Sequence, residues 1–229
     1  MPFDIMWAST RPNAGNFSDR IPIPPRGRLL YADRLKRILD IAIVLLAAPP
    51  ALLTVGVLCL LIMRDGKSPF FVQQRVGRHG RIFRMLKLRS MVVDAEARLQ
   101  SYLEANPARR AEWKVNQKLR HDPRITRIGR IIRKSSLDEL PQLWNVLIGD
   151  MSIVGPRPMM PSQKALYPGV AYYAMRPGIT GFWQISVRNE SSFAERAQFD
   201  AQYFRDLSFA TDLRVILRTF SVVLRGTGS

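Results

Sequence analysis

Two adjacent carboxylates, Asp138 and Glu139, are the residues of this chain best placed to do chemistry. They sit in a basic run, Arg133-Lys134-Ser135-Ser136-Leu137-Asp138-Glu139-Leu140-Pro141-Gln142. Ser136 and Glu139 have capping-box spacing, in which a hydroxyl and a carboxylate satisfy the free amides of a first helical turn. Pro141 argues for a slightly later start with Asp138 as the cap, because only the first four amides of a helix are free and proline has none to give. Either spacing predicts a helix that carries the pair at its positive end, runs through Leu143, Trp144 and Leu147, and stops at Gly149. A carboxylate is stabilised there, and so is a phosphate brought beside it. Plain capping also explains the pair, so its meaning depends on which cations the fold brings to it.

Several elements stand ready to supply those cations. Pro69 to Met91 reads as two short extended segments around the turn signal Gly77-Arg78-His79-Gly80. The second segment alternates cationic and apolar residues through Lys87, as a half-buried strand with a solvated basic edge would. Gly155-Pro156-Arg157-Pro158 surrounds an arginine with helix-incompatible residues and fixes its loop, and a positioned arginine grips phosphate bidentately. Asp94 to Asn106 forms an amphipathic helix stopped by Pro107. Thr126 to Lys134 puts Ile125, Ile128, Ile131 and Ile132 on one face and arginines on the other, which suits either a core contact or a lipid headgroup layer. Thr211 to Arg225 is a final amphipathic helix. The fold class expected is mixed α/β and mostly helical.

The formal net charge is +17, from 35 Lys and Arg against 18 Asp and Glu, and a field of that sign draws nucleic acid, anionic lipid or phosphate-bearing substrates. One cysteine, Cys59, excludes an intramolecular disulfide, and two isolated histidines give no zinc pattern, so any metal should be a hard ion held by carboxylate and phosphate oxygens. Residues 1–30 are proline-punctuated and read as a flexible cytoplasmic arm without a secretory signal. Ile41 to Met63 is uncharged and longer than the about 20 residues a bilayer needs. Pro49-Pro50 interrupts it, and Arg34, Lys36 and Arg37 before it match Arg64 and Lys67 after it, so the positive-inside bias pulls both ends to one side. These features predict a re-entrant helix hairpin broken at Ala48-Pro49-Pro50. A kinked spanning helix is the alternative. The chain divides accordingly into the arm (1–30), the membrane hairpin (31–66) and a small catalytic domain with amphipathic interfacial helices (67–229).

Gly149-Asp150-Met151-Ser152-Ile153-Val154-Gly155-Pro156-Arg157-Pro158, with Asp122-Pro123-Arg124 upstream and Arg176-Pro177-Gly178-Ile179-Thr180-Gly181 downstream, resembles the bacterial sugar transferases, monotopic polyprenyl-phosphate phosphoglycosyl transferases that start exopolysaccharide assembly. The resemblance covers roughly residues 33 to 225. It implies a transferase on the cytoplasmic face of the bacterial inner membrane that moves a sugar phosphate, of galactose, glucose or another hexose, from a UDP-sugar to undecaprenyl phosphate. Asp138 is then the nucleophile and Glu139 the ligand of a Mg2+ cofactor, with Lys87, Arg133 and Arg157 on phosphate. By the same resemblance Arg176, Gln184 and Arg188 fall in a run that binds the nucleotide sugar, and Lys36, Arg37 and Asp40 serve as interface anchor and ion pair at the helix entrance. Two departures stand out: Ala48 replaces the serine usual before the membrane proline, and Val187 replaces a glycine. Membrane lipid is an implied partner and a homodimer is left open. Nucleic acid is not an expected partner, because the arginines are spread among apolar residues rather than clustered in a recognised motif. The rival readings are a membrane-tethered nucleic-acid-binding protein and a non-catalytic scaffold of the same fold.

Overall fold

The computed structural model describes residues 22, 28, 30–116, 119, 122–186 and 193–224, so most of the expected arm over 1–30 lies outside the described residues. The longest element is α1, Lys36–Ile62, prolonged by a wider turn at Tyr31–Leu35 and a tighter one at Met63–Asp65. Among the described residues it is the one helix long and apolar enough to cross a membrane. Helical conformation continues through Pro49 and Pro50, where the sequence predicts a break. The prolines remove the amides that would reach the carbonyls of Leu45 and Leu46. With no serine at position 48, the nearest hydroxyl in the helix is that of Thr54, which donates to Pro50 O at 2.8 Å.

One face of α1 lies on the rest of the protein. Val44 is buried, and Val55, Leu58, Cys59 and Ile62 pack with Leu88, Ile128, Ile132 and Leu137. On the other face Leu45, Leu46, Leu52, Leu53 and Leu60 are 61–82 % exposed, an apolar surface that water alone does not favour. Both ends are tied down by charge. Arg37 donates to Val146 O and Leu147 O, at the carbonyl end of a later helix, and Arg89 holds Asp65 through two bonds of 2.6 and 2.7 Å.

After α1 the chain forms an antiparallel hairpin, β1 (Phe70–Val76) and β2 (Ile82–Leu88), paired from Phe70↔Leu88 to Val76↔Ile82. Phe83 and Met85 of β2 are buried on one face, and Leu88 at the strand's end is buried on the other. Next come α2 (Ala95–Ala105) and α3 (Pro107–Asn116), where Pro107 ends one helix and opens the next. Then α4 (Arg127–Lys134) is capped by Thr126, whose hydroxyl accepts from Gly129 N at 2.8 Å. Its isoleucines divide: Ile132 is fully buried and Ile131 is exposed. Beyond it lie α5 (Gln142–Ile148), β3 (Ser152–Val154), α6 (Ala171–Ala174), β4 (Gly178–Thr180), α7 (Phe182–Ile185), α8 (Arg196–Asp206) and α9 (Phe209–Leu224).

β3 and β4 pair in parallel, Ser152↔Gly178 and Val154↔Thr180. A Cβ at Gly178 would strike the backbone of Gly155 and Thr180, so a side chain there would force the strands apart. The main core joins Phe83 and Met85 of β2, Val146 of α5, Val154 of β3, Tyr203 and Phe204 of α8 and Val215 of α9. At its edge Asp212, only 1 % exposed, accepts from Tyr31 Oη (2.5 Å), Lys36 Nζ (2.6 Å) and Tyr203 Oη (2.6 Å). Nearby, the buried Asp40 accepts from Ser152 Oγ and Ile153 N, both at 2.9 Å. The helix-entrance ion pair is therefore made by Lys36 with Asp212 of α9.

Removing one partner of such a pair strands the other charge. Asp212→Ala should cost about 3–5 kcal/mol of stability, read as a lowered midpoint of thermal unfolding in detergent. Asp212→Asn, which keeps hydrogen-bonding capacity, should lose less. An unchanged midpoint for Asp212→Ala would mean that the network does not hold α1 to α9.

Candidate active site

The chain leaves α4 through Ser135 and enters a tight turn. Ser136 has φ +57°, in the left-handed region that non-glycine residues rarely adopt, and Leu137–Glu139 form one 3-10 turn. A helical N-cap residue needs extended backbone, so Ser136 makes no side-chain cap bond, and Glu139 N bonds to the Ser136 carbonyl instead. The helix expected to begin at Ser136 or Asp138 starts only at Gln142. It ends at Gly149, where φ +94° suits glycine. The carboxylates therefore stand in a turn ahead of α5 rather than in its first turn.

That turn aims both carboxylates at one ammonium. Lys87 Nζ donates to Glu139 Oε1 at 2.9 Å and lies 3.7 Å from Asp138 Oδ2. Lys87 is held by its strand and by α5: buried Asn145 accepts from Leu86 N at 3.0 Å and donates to Arg84 O at 2.8 Å, as a neighbouring strand would. Burial pushes the Asp138 carboxyl up; Lys87 pulls it down, Glu139 raises it and Arg133 lowers it, and the balance is upward. Arg133, at the end of α4, also acts on the Asp122 carboxylate, itself held by Arg124 at 2.6 Å. Leu137, immediately before Asp138, packs in the cluster that holds Val55, Leu58 and Ile62 of α1. The pair is thus one residue from the apolar helix. Among the described residues no third His, Cys, Asp or Glu joins the two carboxylates as a metal-binding group.

A second group of cations gathers where β1 meets the loop after β3. Arg75 donates to Pro158 O at 2.9 Å and to Gln73 Oε1. Burial lowers its pKa to about 10, with the Arg157 charge adding to the effect and Glu139 opposing it. The guanidinium of Arg157 stands 5.4 Å from the centre of the Trp183 ring, and that of Arg196 4.1 Å. Together they border a small pocket with Tyr167, Tyr172 and Asp200. Asp200 accepts from Tyr167 Oη at 2.6 Å, and burial pushes its pKa up to about 7.

Of the residues singled out in the sequence, the fold groups Lys87, Asp138 and Glu139, keeps Arg133 in electrostatic reach, and sets Arg157 at the neighbouring pocket. Gln184 is buried beside Trp183. Arg176 faces another way: its Nε donates to Gly149 O at 3.0 Å, and its charged neighbours are Arg78, Arg37, Asp40 and Asp33. Arg188, with Val187, lies outside the described residues. Arg75, Arg196 and Asp200 were not singled out. The four-residue spacing of Arg196 and Asp200 on one helix, just after Phe193, was the available signal, but it also fits an ordinary solvated helix face.

The chain is 46 % identical over 197 residues to the UDP-galactose-lipid carrier transferase of Erwinia amylovora, covering 85 % of this chain and 41 % of that protein. It is 44 % identical over 200 residues to the undecaprenyl-phosphate galactose phosphotransferase of Salmonella typhimurium, again 85 % of this chain and 41 % of the relative. It thus spans less than half the length of these two relatives. Against the exopolysaccharide production protein ExoY of Sinorhizobium fredii it is 42 % identical over 200 residues, covering 85 % of this chain and 87 % of the relative. With residues 31–226 matching the pattern of the bacterial sugar transferases, the chain belongs to that family.

Proposed function

We propose that this protein transfers a hexose phosphate, galactose or glucose, from a UDP-sugar to undecaprenyl phosphate, through a sugar-phosphoryl aspartate at Asp138. The observation that carries the reading is the Asp138–Glu139–Lys87 cluster directly above a residue packed on α1. A lipid-linked phosphate then reaches the pair from the apolar side while a nucleotide sugar arrives from water. In this reading the chain is monotopic on the cytoplasmic face, with α1 entering and leaving by one leaflet.

In the first step an Asp138 carboxylate oxygen bonds to the β-phosphorus. The bond from that phosphorus to the oxygen bridging the α-phosphorus breaks, and uridine monophosphate leaves with the electron pair. In the second step the phosphate oxygen of the polyprenyl carrier attacks the same phosphorus, the aspartyl–phosphorus bond breaks, and the carboxylate is restored with polyprenyl diphosphosugar as product. Splitting one displacement into two is the gain of a covalent intermediate. Anion meets anion in both steps, so charge neutralisation is the main task of the protein. Lys87 screens the attacking carboxylate, and Arg133 and Arg157 grip phosphate oxygens.

The donor set fits a magnesium ion, because such an ion is commonly held by one or two carboxylates plus substrate phosphates and water rather than by an all-protein cage. Glu139, a quarter exposed at its side chain, would hold it against the diphosphate. When bound, the ion supplies further neutralisation of the leaving group.

Asp138→Asn should abolish turnover, since an amide does not attack phosphorus usefully, whereas asparagine caps as well as aspartate if capping is the whole role. Enzyme incubated with UDP-sugar and no lipid should gain the mass of one sugar phosphate on the peptide that contains Asp138. Absence of any trapped adduct, with phosphorus stereochemistry that reports a single displacement, would overturn the covalent step. Glu139→Gln should be severely impaired and partly recovered by added magnesium.

The raised Asp138 pKa has a defined sign. The nucleophile is lost as pH falls through a value above that of an ordinary aspartate, so the acid limb of kcat/KM lies higher than that of a free aspartate. Lys87→Met removes a cation that favours the carboxylate and should move this limb upward. A limb that stays put would detach Lys87 from the nucleophile.

Topology is tested by cysteine labelling just before Arg34 and just after Lys67, in a chain with Cys59 replaced. Labels on one face support the re-entrant placement of α1, and labels on opposite faces make it a spanning helix.

A further inference from the structure

The guanidinium groups of Arg157 and Arg196 share the Trp183 ring, and that of Arg75 donates to Pro158 O, next in the chain to Arg157. Arg75 and Arg196 are half-buried, and the Nε–H of each is buried and finds no hydrogen-bond acceptor among the described residues. A buried, charged donor left unpaired is costly. The nearby carboxylates each have another partner, Asp200 accepting from Tyr167 and Glu139 from Lys87. Like charges also crowd here, since burial and then the Arg157 charge lower the pKa of both Arg75 and Arg196 to about 10. Such a site is completed by an anion with several oxygens, which planar guanidinium forks bind in pairs.

We propose that Arg75 and Arg196 act with Arg157 to grip the nucleotide diphosphate of the donor, and that Asp200 is the positioning residue that holds Arg196 at Trp183 for this purpose. The inference rests on the donor reading above. Position favours the donor over the lipid phosphate. The aromatic cluster behind the pocket, Val76, Met159, Tyr167, Tyr172 and Tyr173, contains no residue of α1. The cluster beneath Asp138, by contrast, is built largely from α1. Arg75 on β1 is bonded to the loop that carries Arg157 and is one strand away from Lys87 on β2, so a diphosphate held at the three arginines lies beside the strand pair that supplies the carboxylates' ammonium. Asp200 follows Arg196 by one helical turn on α8. Its bond to Tyr167 fixes the carboxylate beneath the arginine, where it favours the cation without closing an ion pair over it.

The test uses the full chain in detergent or nanodiscs, with UDP as the probe in isothermal titration calorimetry and turnover measured in parallel. Arg196→Gln and Arg75→Gln should each weaken UDP binding by about 10- to 100-fold. Each should raise KM for the UDP-sugar while KM for the polyprenyl phosphate stays unchanged. Arg196→Lys should recover only part of the loss, because an ammonium lacks the fork, and it decides the matter if Arg196→Gln melts early. Native-like melting with UDP affinity weakened several-fold supports the proposal, and undiminished affinity overturns it. Asp200→Asn should raise KM for the donor in the Arg196 background of the wild type and add nothing to Arg196→Gln. An additive effect would make Asp200 a purely structural residue. A rise confined to the acceptor KM would assign the arginines to the lipid phosphate and overturn the proposal. Wild-type protein that binds UDP through these arginines yet turns over no UDP-sugar would leave the anion site standing and remove the proposed reaction instead.

Discussion

A single buried carboxylate, Asp212, ties the first described helix to the last. Its two oxygens take two tyrosine hydroxyls and a lysine ammonium, none of which belongs to α9. A charge so thoroughly removed from water is tolerable only when fully bonded, so α1 has one seating against α8 and α9 rather than a range of them. Arg37 at the carbonyl end of α5 and Asp40 at the amide of β3 extend the same seating to the middle of the chain. The apolar helix is thereby part of the core, and the elements that carry the carboxylate pair are fixed relative to it.

From this follows an arrangement of the site in layers. Beneath Asp138 lies an aliphatic cluster shared with α1, beside it the Lys87 ammonium, and beyond it arginines set on the Trp183 and Phe193 rings. Low-dielectric material on one side strengthens each charge interaction in the cluster, and the same burial raises the Asp138 pKa. Positive charge is supplied from separate elements, α4, β1, β2, the loop after β3 and α8, each fixed by its own packing. That dispersal explains why an excess of +17 gives no contiguous basic stripe in the sequence.

Much of this was legible from residue patterns, for identifiable reasons. The β1–β2 hairpin announces itself through two glycines between runs that mix cationic and apolar residues, and the end of α5 through Gly149, because both depend on local backbone preferences. The start of α5 was misread because Ser136 and Glu139 have capping-box spacing while the backbone between α4 and α5 takes a left-handed step that spacing does not encode. Pro49-Pro50 suggests a break, yet the helical conformation persists through it, at the cost of the two amides that would reach Leu45 and Leu46. The short parallel strands β3 and β4 gave no signal, being three residues each and defined by a partner distant in sequence. Arg75, Arg196 and Asp200 escaped notice for the same reason: their meaning comes from tertiary neighbours around Trp183.

Asn145 carries a consequence outside catalysis. Its carboxamide occupies the free side of β2 at Arg84 and Leu86, both accepting and donating as a third strand would. A two-stranded hairpin with an open edge is a template for pairing with a copy of itself, a hazard that grows where proteins are concentrated on a surface. Here the middle of that edge is already satisfied by a side chain from the same molecule. Neighbouring copies therefore cannot zip together along β2, and crowding on a membrane would leave the strand carrying Lys87 out of any intermolecular sheet.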